Sequence, residues 1–139
     1  MFSGTGKLRA IGISNYTIDH VKELLQKASV LPAVNQCEFH PHYAQKELAY
    51  SSLGSPRAVH ELLTEPKIVE TAAKYSCSVP QFLLAWSISQ GISVLPRTSK
   101  REHVIENFKS LTIKVNDEDL QSVISDTPRK YCWDPSTVA

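Results

Sequence analysis

Leu8 to Ile13, LRAIGI, is a short apolar run that ends at Ser14-Asn15. A run of this length bounded by small polar residues reads as a buried strand. Ile18, Val21, Leu24, Leu25 and Ala28 then recur at 3.6-residue spacing, the inner stripe of a helix whose N-cap is Thr17. Pro32 opens a second strand, PAVNQCEF, closed by His40-Pro41. Strand, helix, strand is the connection of a parallel βαβ unit, because the crossover returns the chain to the end of the sheet from which it left. A chain that begins this way is committed to an α/β fold.

The next stretch, QKELAYSSLGS over 45–55, joins two incomplete pieces. Gln45 to Leu48 starts a helix, and Ala49 to Ser51 ends a strand, with no connection between them. Beyond Gly54, Glu65-Pro66 starts a helix with Ile68, Val69, Ala72 and Ala73 inward, proline occupying a first-turn position that needs no N–H donor. Val79-Pro80 starts another whose centre, Phe82 to Trp86 with Ile88, is apolar nearly all round and so belongs in a core. Gly91 ends it, and Ile92 to Leu95 reads as a third strand. Ser99 with Glu102 matches a capping box for a helix with Val104, Ile105, Phe108 and Leu111 on its inner face. Asn116-Asp117-Glu118-Asp119 caps a last helix carrying Leu120, Val123 and Ile124, and residues 127–139 read as an irregular tail. The 139 residues suggest one domain, yet three strands and a stump neither close a barrel nor fill a large open sheet.

Fifteen Lys and Arg balance fourteen Asp and Glu, so bulk charge gives no pull toward nucleic acid or anionic membrane, and any basic site must be local. No apolar run reaches the roughly 18 residues of a membrane helix. Cys37, Cys77 and Cys132 are odd in number and widely spaced, which suggests reduced thiols in a cytoplasmic protein.

Three segments could carry chemistry. In LPRTSKREHVIENF, 95–108, a strand end is followed by Arg97, Lys100 and Arg101 and then by a helix start, whose free N–H groups favour an anion such as phosphate. The alternative is a solvated basic face on an ordinary helix. In GISNY, 12–16, small polar groups stand where a strand meets a helix, either as caps or as ligand contacts at the ligand-binding end of an α/β strand. In VNQCEFHPHY, 34–43, Glu38, His40 and His42 alternate as metal ligands could, but Pro41 interrupts them and no further ligand is evident, so no metal is expected. Asn35 and Gln36 are amides in an apolar strand and need hydrogen-bond partners, from the core or from a ligand.

Taken in order, GKLRAIGISNY, PAVNQCEFHPHYAQKEL, AYSSLGSP and LPRTSKREHVIENF resemble the aldo-keto reductases, over about Gly6 to Leu120. That resemblance implies a partial (β/α)8 TIM barrel, roughly strands 5 to 8 with strand 7 truncated, forming a single incomplete domain. It implies an NADP(H)-dependent oxidoreductase that reduces aldehydes and ketones. By the same resemblance Ser14, Asn15 and Gln36 match the groups that hold the nicotinamide carboxamide, and Tyr50 the aromatic beneath the ring. Ser51, Leu53 and Ser55 match the loop over the pyrophosphate. Arg97, Thr98 and Ser99 match positions around the adenosine phosphates, with His103 where the family often has an arginine on the 2′-phosphate, and Glu106 and Asn107 match groups at the adenine edge.

Two departures from the family pattern bear on activity. The tyrosine acid, lysine, aspartate and histidine of the family's catalytic set have no counterpart in these motifs, so no catalytic residue is transferred and hydride transfer is expected to lose a factor of about 10²–10⁴. The helix and strand that should separate QKEL from AYSS are missing, which leaves Tyr50 without rigid support. The chain alone is therefore expected to be an inactive fragment that retains cofactor contacts, weakened at His103 and prone to self-association through open sheet edges. The alternative is a non-catalytic nucleotide-binding or interaction remnant. A carbonyl substrate is expected only where the missing half is supplied.

Overall fold

Gly12 lies so close to the neighbouring strand that a Cβ built on it would stand 2.7 Å from Cγ2 of Val34 and 3.2 Å from the Val34 carbonyl oxygen. That approach belongs to the parallel pair formed by β1 (Gly12–Ser14) and β2 (Val34–Gln36), in register Gly12 to Val34, Ile13 to Asn35 and Ser14 to Gln36. The pair is seen in a computed structural model that describes residues 6–44 and 59–132. Backbone hydrogen bonds from Ala33 to Ile11 and from Asn15 to Gln36, at 2.8 and 3.0 Å, extend the ladder at either end.

Between the strands runs α1 (Ile18–Lys27). Thr17 caps it as expected: its hydroxyl accepts from the His20 N–H, and the His20 ring accepts in return from the Thr17 N–H. The strand–helix–strand reading is thus correct in order and direction. Both strands are shorter than the sequence suggests, three residues each against LRAIGI and PAVNQCEF. Leu8 and Ile11 are exposed, so the first run is not a buried strand, and α1 buries none of its residues. Apolar character set the expected lengths, whereas a ladder extends only as far as both strands offer paired backbone groups.

The chain divides into two compact units, the first built on this βαβ element, with its described residues ending at Cys37, the second Glu38–Cys132. The second unit contains α2 (Val59–Thr64), α3 (Pro66–Lys74), α4 (Val79–Ser89), α5 (Arg101–Lys109), a 3₁₀ turn over Ser110–Thr112, and α6 (Asp117–Ser122). Its core is organised on α4, where Phe82, Leu83, Leu84, Ala85, Trp86 and Ser87 are all buried. The Ser78 hydroxyl and the Gln81 side chain exchange hydrogen bonds with each other's backbone N–H to start that helix, and Gly91 at φ +78° ends it. Trp86 stacks on Phe39 with ring centroids 4.9 Å apart and donates its indole N–H to the Leu120 carbonyl at 2.9 Å. Leu62, Ile68, Ala72, Val115, Leu120 and Val123 close the same cluster.

Asn116 caps α6 as expected, its side chain accepting from the Asp119 N–H at 2.8 Å. In α3, Ile68 and Ala72 are buried, but Val69 and Ala73 face solvent and Thr71 takes an inward position. Ile92 to Leu95 forms no strand: it has no ladder partner among the described residues, although exposure alternates along it as in an extended chain. The helix after it starts one residue later than the capping-box reading requires. Lys100 is the N-cap and no side chain caps the turn, so Ser99 does not perform that role. The expected inner face of α5 is outward: Val104, Ile105, Phe108 and Leu111 are 55%, 50%, 73% and 53% exposed. The helix over Gln45–Leu48 and the strand end over Ala49–Ser51 lie outside the described residues, as do 133–139 of the expected tail. Its described part, 127–132, is irregular.

Candidate functional site

In the first unit, the C-terminal ends of β1 and β2 bring Ser14, Asn15 and Gln36 together. The Ser14 hydroxyl donates to the Gln36 carbonyl at 2.9 Å, and the Asn15 backbone N–H donates to the same oxygen at 3.0 Å. Asn15 has φ +58°, in the left-handed region that asparagine tolerates better than most residues. Asn35 is satisfied within the protein. Its amide donates to the Tyr16 carbonyl at 2.9 Å and its Oδ1 accepts from the Tyr16 N–H at 3.3 Å, which pins the turn that follows Asn15. The side-chain amides of Asn15 and Gln36 make no hydrogen bond within the described residues, although both residues are half-buried. A pair of amides beside a serine oxygen suits a carboxamide, which presents one donor group and one acceptor.

In the second unit, the segment before α5 carries Arg97, Thr98 and Ser99, and the helix itself carries His103, Glu106 and Asn107. Thr98 Oγ1 accepts from the Lys100 N–H at 3.1 Å and lies 3.5 Å from Nδ1 of His103. Helix α5 has nine residues and no side-chain cap. Its first N–H groups therefore stay available beside Arg97, Lys100 and Arg101, a chemistry that suits phosphate oxygens. The Glu106 backbone carbonyl accepts from Nε2 of Gln81 at 3.1 Å, tying the helix to α4. Thr98 and Asn107 also line a groove of about 250 Å³ with Ile88, Val94, Pro96 and Phe108. Tyr50, Ser51, Leu53 and Ser55 lie outside the described residues.

Glu38, His40 and His42 serve a different purpose from metal ligation. The Glu38 carboxylate is fully buried and accepts from Nε2 of His40 at 2.9 Å, from the Tyr131 N–H at 2.7 Å and from the Cys132 N–H at 3.0 Å. Among the described residues no group of three or more His, Cys, Asp or Glu could hold a metal ion. Sequence reading missed this cluster because its members are some ninety positions apart. The one available signal was a carboxylate followed at alternating positions by two histidines.

A family model described as the Aldo/keto reductase family matches residues 2–54. Glyoxal reductase of Bacillus subtilis strain 168 is 36% identical over 126 residues, covering 85% of this chain and 46% of the reductase. The crystal structure of MGS-M4, an aldo-keto reductase from a Medee basin deep-sea metagenome library, superposes with a TM-score of 0.87 at 28% identity, over 96% of this chain and 53% of that one. Aldo-keto reductase AKR2E5 of the silkworm Bombyx mori, solved with NADPH, superposes at 0.77 with 29% identity over 88% of this chain and 43% of that one. In sequence and in fold the chain is similar to members of the aldo-keto reductase family. It spans about half the length of the curated relatives it matches. Its fold is α/β, consistent with part of a barrel.

Proposed function

We propose that this chain carries the NADP(H)-binding portion of a carbonyl reductase. The observation that carries the reading is the pair of half-buried amides, Asn15 and Gln36, left without partners among the described residues at the C-terminal ends of two parallel strands. Ser14, Asn15 and Gln36 hold the nicotinamide carboxamide and so fix which face of the ring is presented, with Tyr50 beneath it. Ser51, Leu53 and Ser55 cover the pyrophosphate. The uncapped start of α5, with Arg97, Thr98, Ser99 and His103, takes the adenosine phosphates, and Glu106 and Asn107 the adenine edge. The bound cofactor supplies a hydride.

Support comes from the likeness to the aldo-keto reductase family, from a relative named as a glyoxal reductase, and from a structural neighbour solved with NADPH. The finer architecture, barrel strands 5 to 8 with the seventh shortened, follows from the same resemblance. The proton that must reach the carbonyl oxygen comes from a group outside these motifs. Without it, carbonyl reduction by these residues alone is slower by a factor of about 10²–10⁴. That gap favours a second reading, cofactor binding without turnover.

Both readings are tested by titrating the purified chain with NADPH while following cofactor fluorescence, alongside an aldehyde-dependent assay of cofactor oxidation. Saturable fluorescence enhancement with negligible turnover is the expected result. Absence of any fluorescence change at high cofactor would remove the binding proposal, and rapid turnover would show that a proton donor lies within this chain.

A further inference from the structure

The segment after α6 is fastened to residues 38–42 by a series of hydrogen bonds in which the later segment supplies the backbone donors. The Ser125 N–H donates to the Pro41 carbonyl at 2.9 Å and the Arg129 N–H to the His42 carbonyl at 2.7 Å. The Tyr131 and Cys132 N–H groups both donate to Glu38, as described above. Side chains reinforce the seam: Tyr131 Oη lies 2.6 Å from Nδ1 of His42, and the Tyr131 ring stacks on His40 with centroids 5.0 Å apart. Two of the groups that fasten it, Glu38 and His42, are buried and titratable.

We propose that Glu38, His40 and His42 form an acid-released clasp on residues 125–132. Among the described residues, charged and titratable groups face the clasp from several sides. Glu38 faces His40 and, at 3.9 Å, the Lys130 ammonium, which also sits over the Tyr43 ring. His42 faces Tyr131, the Glu65 carboxylate at 3.7 Å, and the electrostatic influence of Arg129, His40 and Glu61. Arg129 is paired with Glu61, which also accepts from the Tyr131 hydroxyl at 3.0 Å.

Because the ionised Glu38 can only accept, its hydrogen bond fixes the proton of His40 on Nε2. Nδ1 of His40 is then a buried nitrogen without a hydrogen-bond partner among the described residues.

Both titrations work in the same direction. Burial, joined by the Arg129 guanidinium, pushes the His42 imidazole below its ordinary value against the opposing pull of Glu65 and Glu61. The closed clasp therefore binds a proton at His42 less readily than the opened form, so acid favours opening as pH falls from about 6.5. Burial pushes the Glu38 carboxyl up, but the hydrogen bonds from His40, Tyr131 and Cys132 outweigh it and hold it below the ordinary value. Its stabilisation is present above the unfolded carboxyl value, about 4.3, and is lost as pH falls through the folded one. Acid thus loosens the seam in two stages, His42 first.

Amide hydrogen exchange on the full chain, read as protection factors to remove the intrinsic pH dependence, tests the clasp. Between pH 7.5 and 5.5, protection at Arg129, Tyr131 and Cys132 is expected to fall, by up to about tenfold per pH unit once His42 titrates, while Leu84 and Trp86 in α4 hold theirs. His42→Gln is expected to abolish that fall. Constant protection at 129–132 in the native chain, a parallel loss at Leu84 and Trp86, or an unchanged pH dependence in His42→Gln would each overturn the proposal. The native-chain comparison stands even where the variant fails to fold.

Discussion

Asn35 and Tyr16 hold each other in a reciprocal pair of hydrogen bonds, side-chain amide to backbone carbonyl and backbone N–H to side-chain oxygen, at 2.9 and 3.3 Å. The pair fixes the loop that carries Asn15 at positive φ, so Asn35 sets the position of an amide proposed to meet the cofactor. Asn35→Leu removes both bonds without shortening the side chain. It is expected to cost about 1–2 kcal/mol in chemical denaturation, and to weaken NADPH binding through Asn15 rather than by direct contact. Unchanged NADPH affinity in a folded variant would show that the Tyr16 loop is held by other means.

Arg97 and His103 make opposite predictions for the cofactor. Arg97→Ala removes a cation from the start of α5 and is expected to weaken NADPH binding by about 1.5–3 kcal/mol, roughly ten- to hundredfold. His103→Arg adds a permanent guanidinium charge at that position and is expected to favour NADPH over NADH by about tenfold. Fluorescence titrations with both cofactors measure the ratio. Equal effects on NADPH and NADH would place His103 away from the 2′-phosphate.

Trp86 contributes an indole donor as well as volume. Trp86→Phe keeps an aromatic ring against Phe39 but leaves the Leu120 carbonyl without its indole donor and a gap where the second ring was. A loss of about 2–3 kcal/mol is expected, read from the shift in denaturation midpoint at constant slope. A loss below about 0.5 kcal/mol would mean that the Leu120 carbonyl finds another donor.

Asp119 is expected to contribute to the acid limb of stability where α3 meets α6. Lys74 at 3.1 Å, then Tyr75 at 2.9 Å, with Asn116 beside them, hold its carboxyl below the ordinary value against the opposing effect of burial. The stabilisation is therefore present above the unfolded carboxylate value and is lost as pH falls through the lower folded one. Asp119→Asn is expected to flatten stability against pH below about pH 4. Equilibrium denaturation across that range checks it, and an unchanged slope would assign the acid limb to other carboxylates.

What the sequence made legible follows from the range of each interaction. Helix α1 could be read because its apolar spacing and Thr17 are local, and α4 because residues 82–86 are apolar on every side. Periodicity showed that Val104, Ile105 and Phe108 share a face of α5, but it carries no information on whether anything covers that face, and among the described residues they are exposed. Helix α2 escaped notice because VHELLT is less than two turns long with no capping signal. Ser99 and Lys100 were confused because a capping pattern was read one residue early. Ser14, Asn15 and Gln36 could be grouped because β1 and β2 are adjacent in the chain order. The seam between Glu38 and Tyr131 could not, since no local pattern links residues that distant.

The contact between Gly12 and Val34 makes their evolution interdependent. Position 12 cannot acquire a side chain while a branched residue stands opposite, so variation there is permitted only after, or together with, truncation at 34. Even a shortened partner leaves a carbonyl at 3.2 Å, which any newcomer at 12 would have to accommodate by a small separation of the two strands. Drift at this pair is therefore ordered: the smaller residue can grow no sooner than the larger one shrinks.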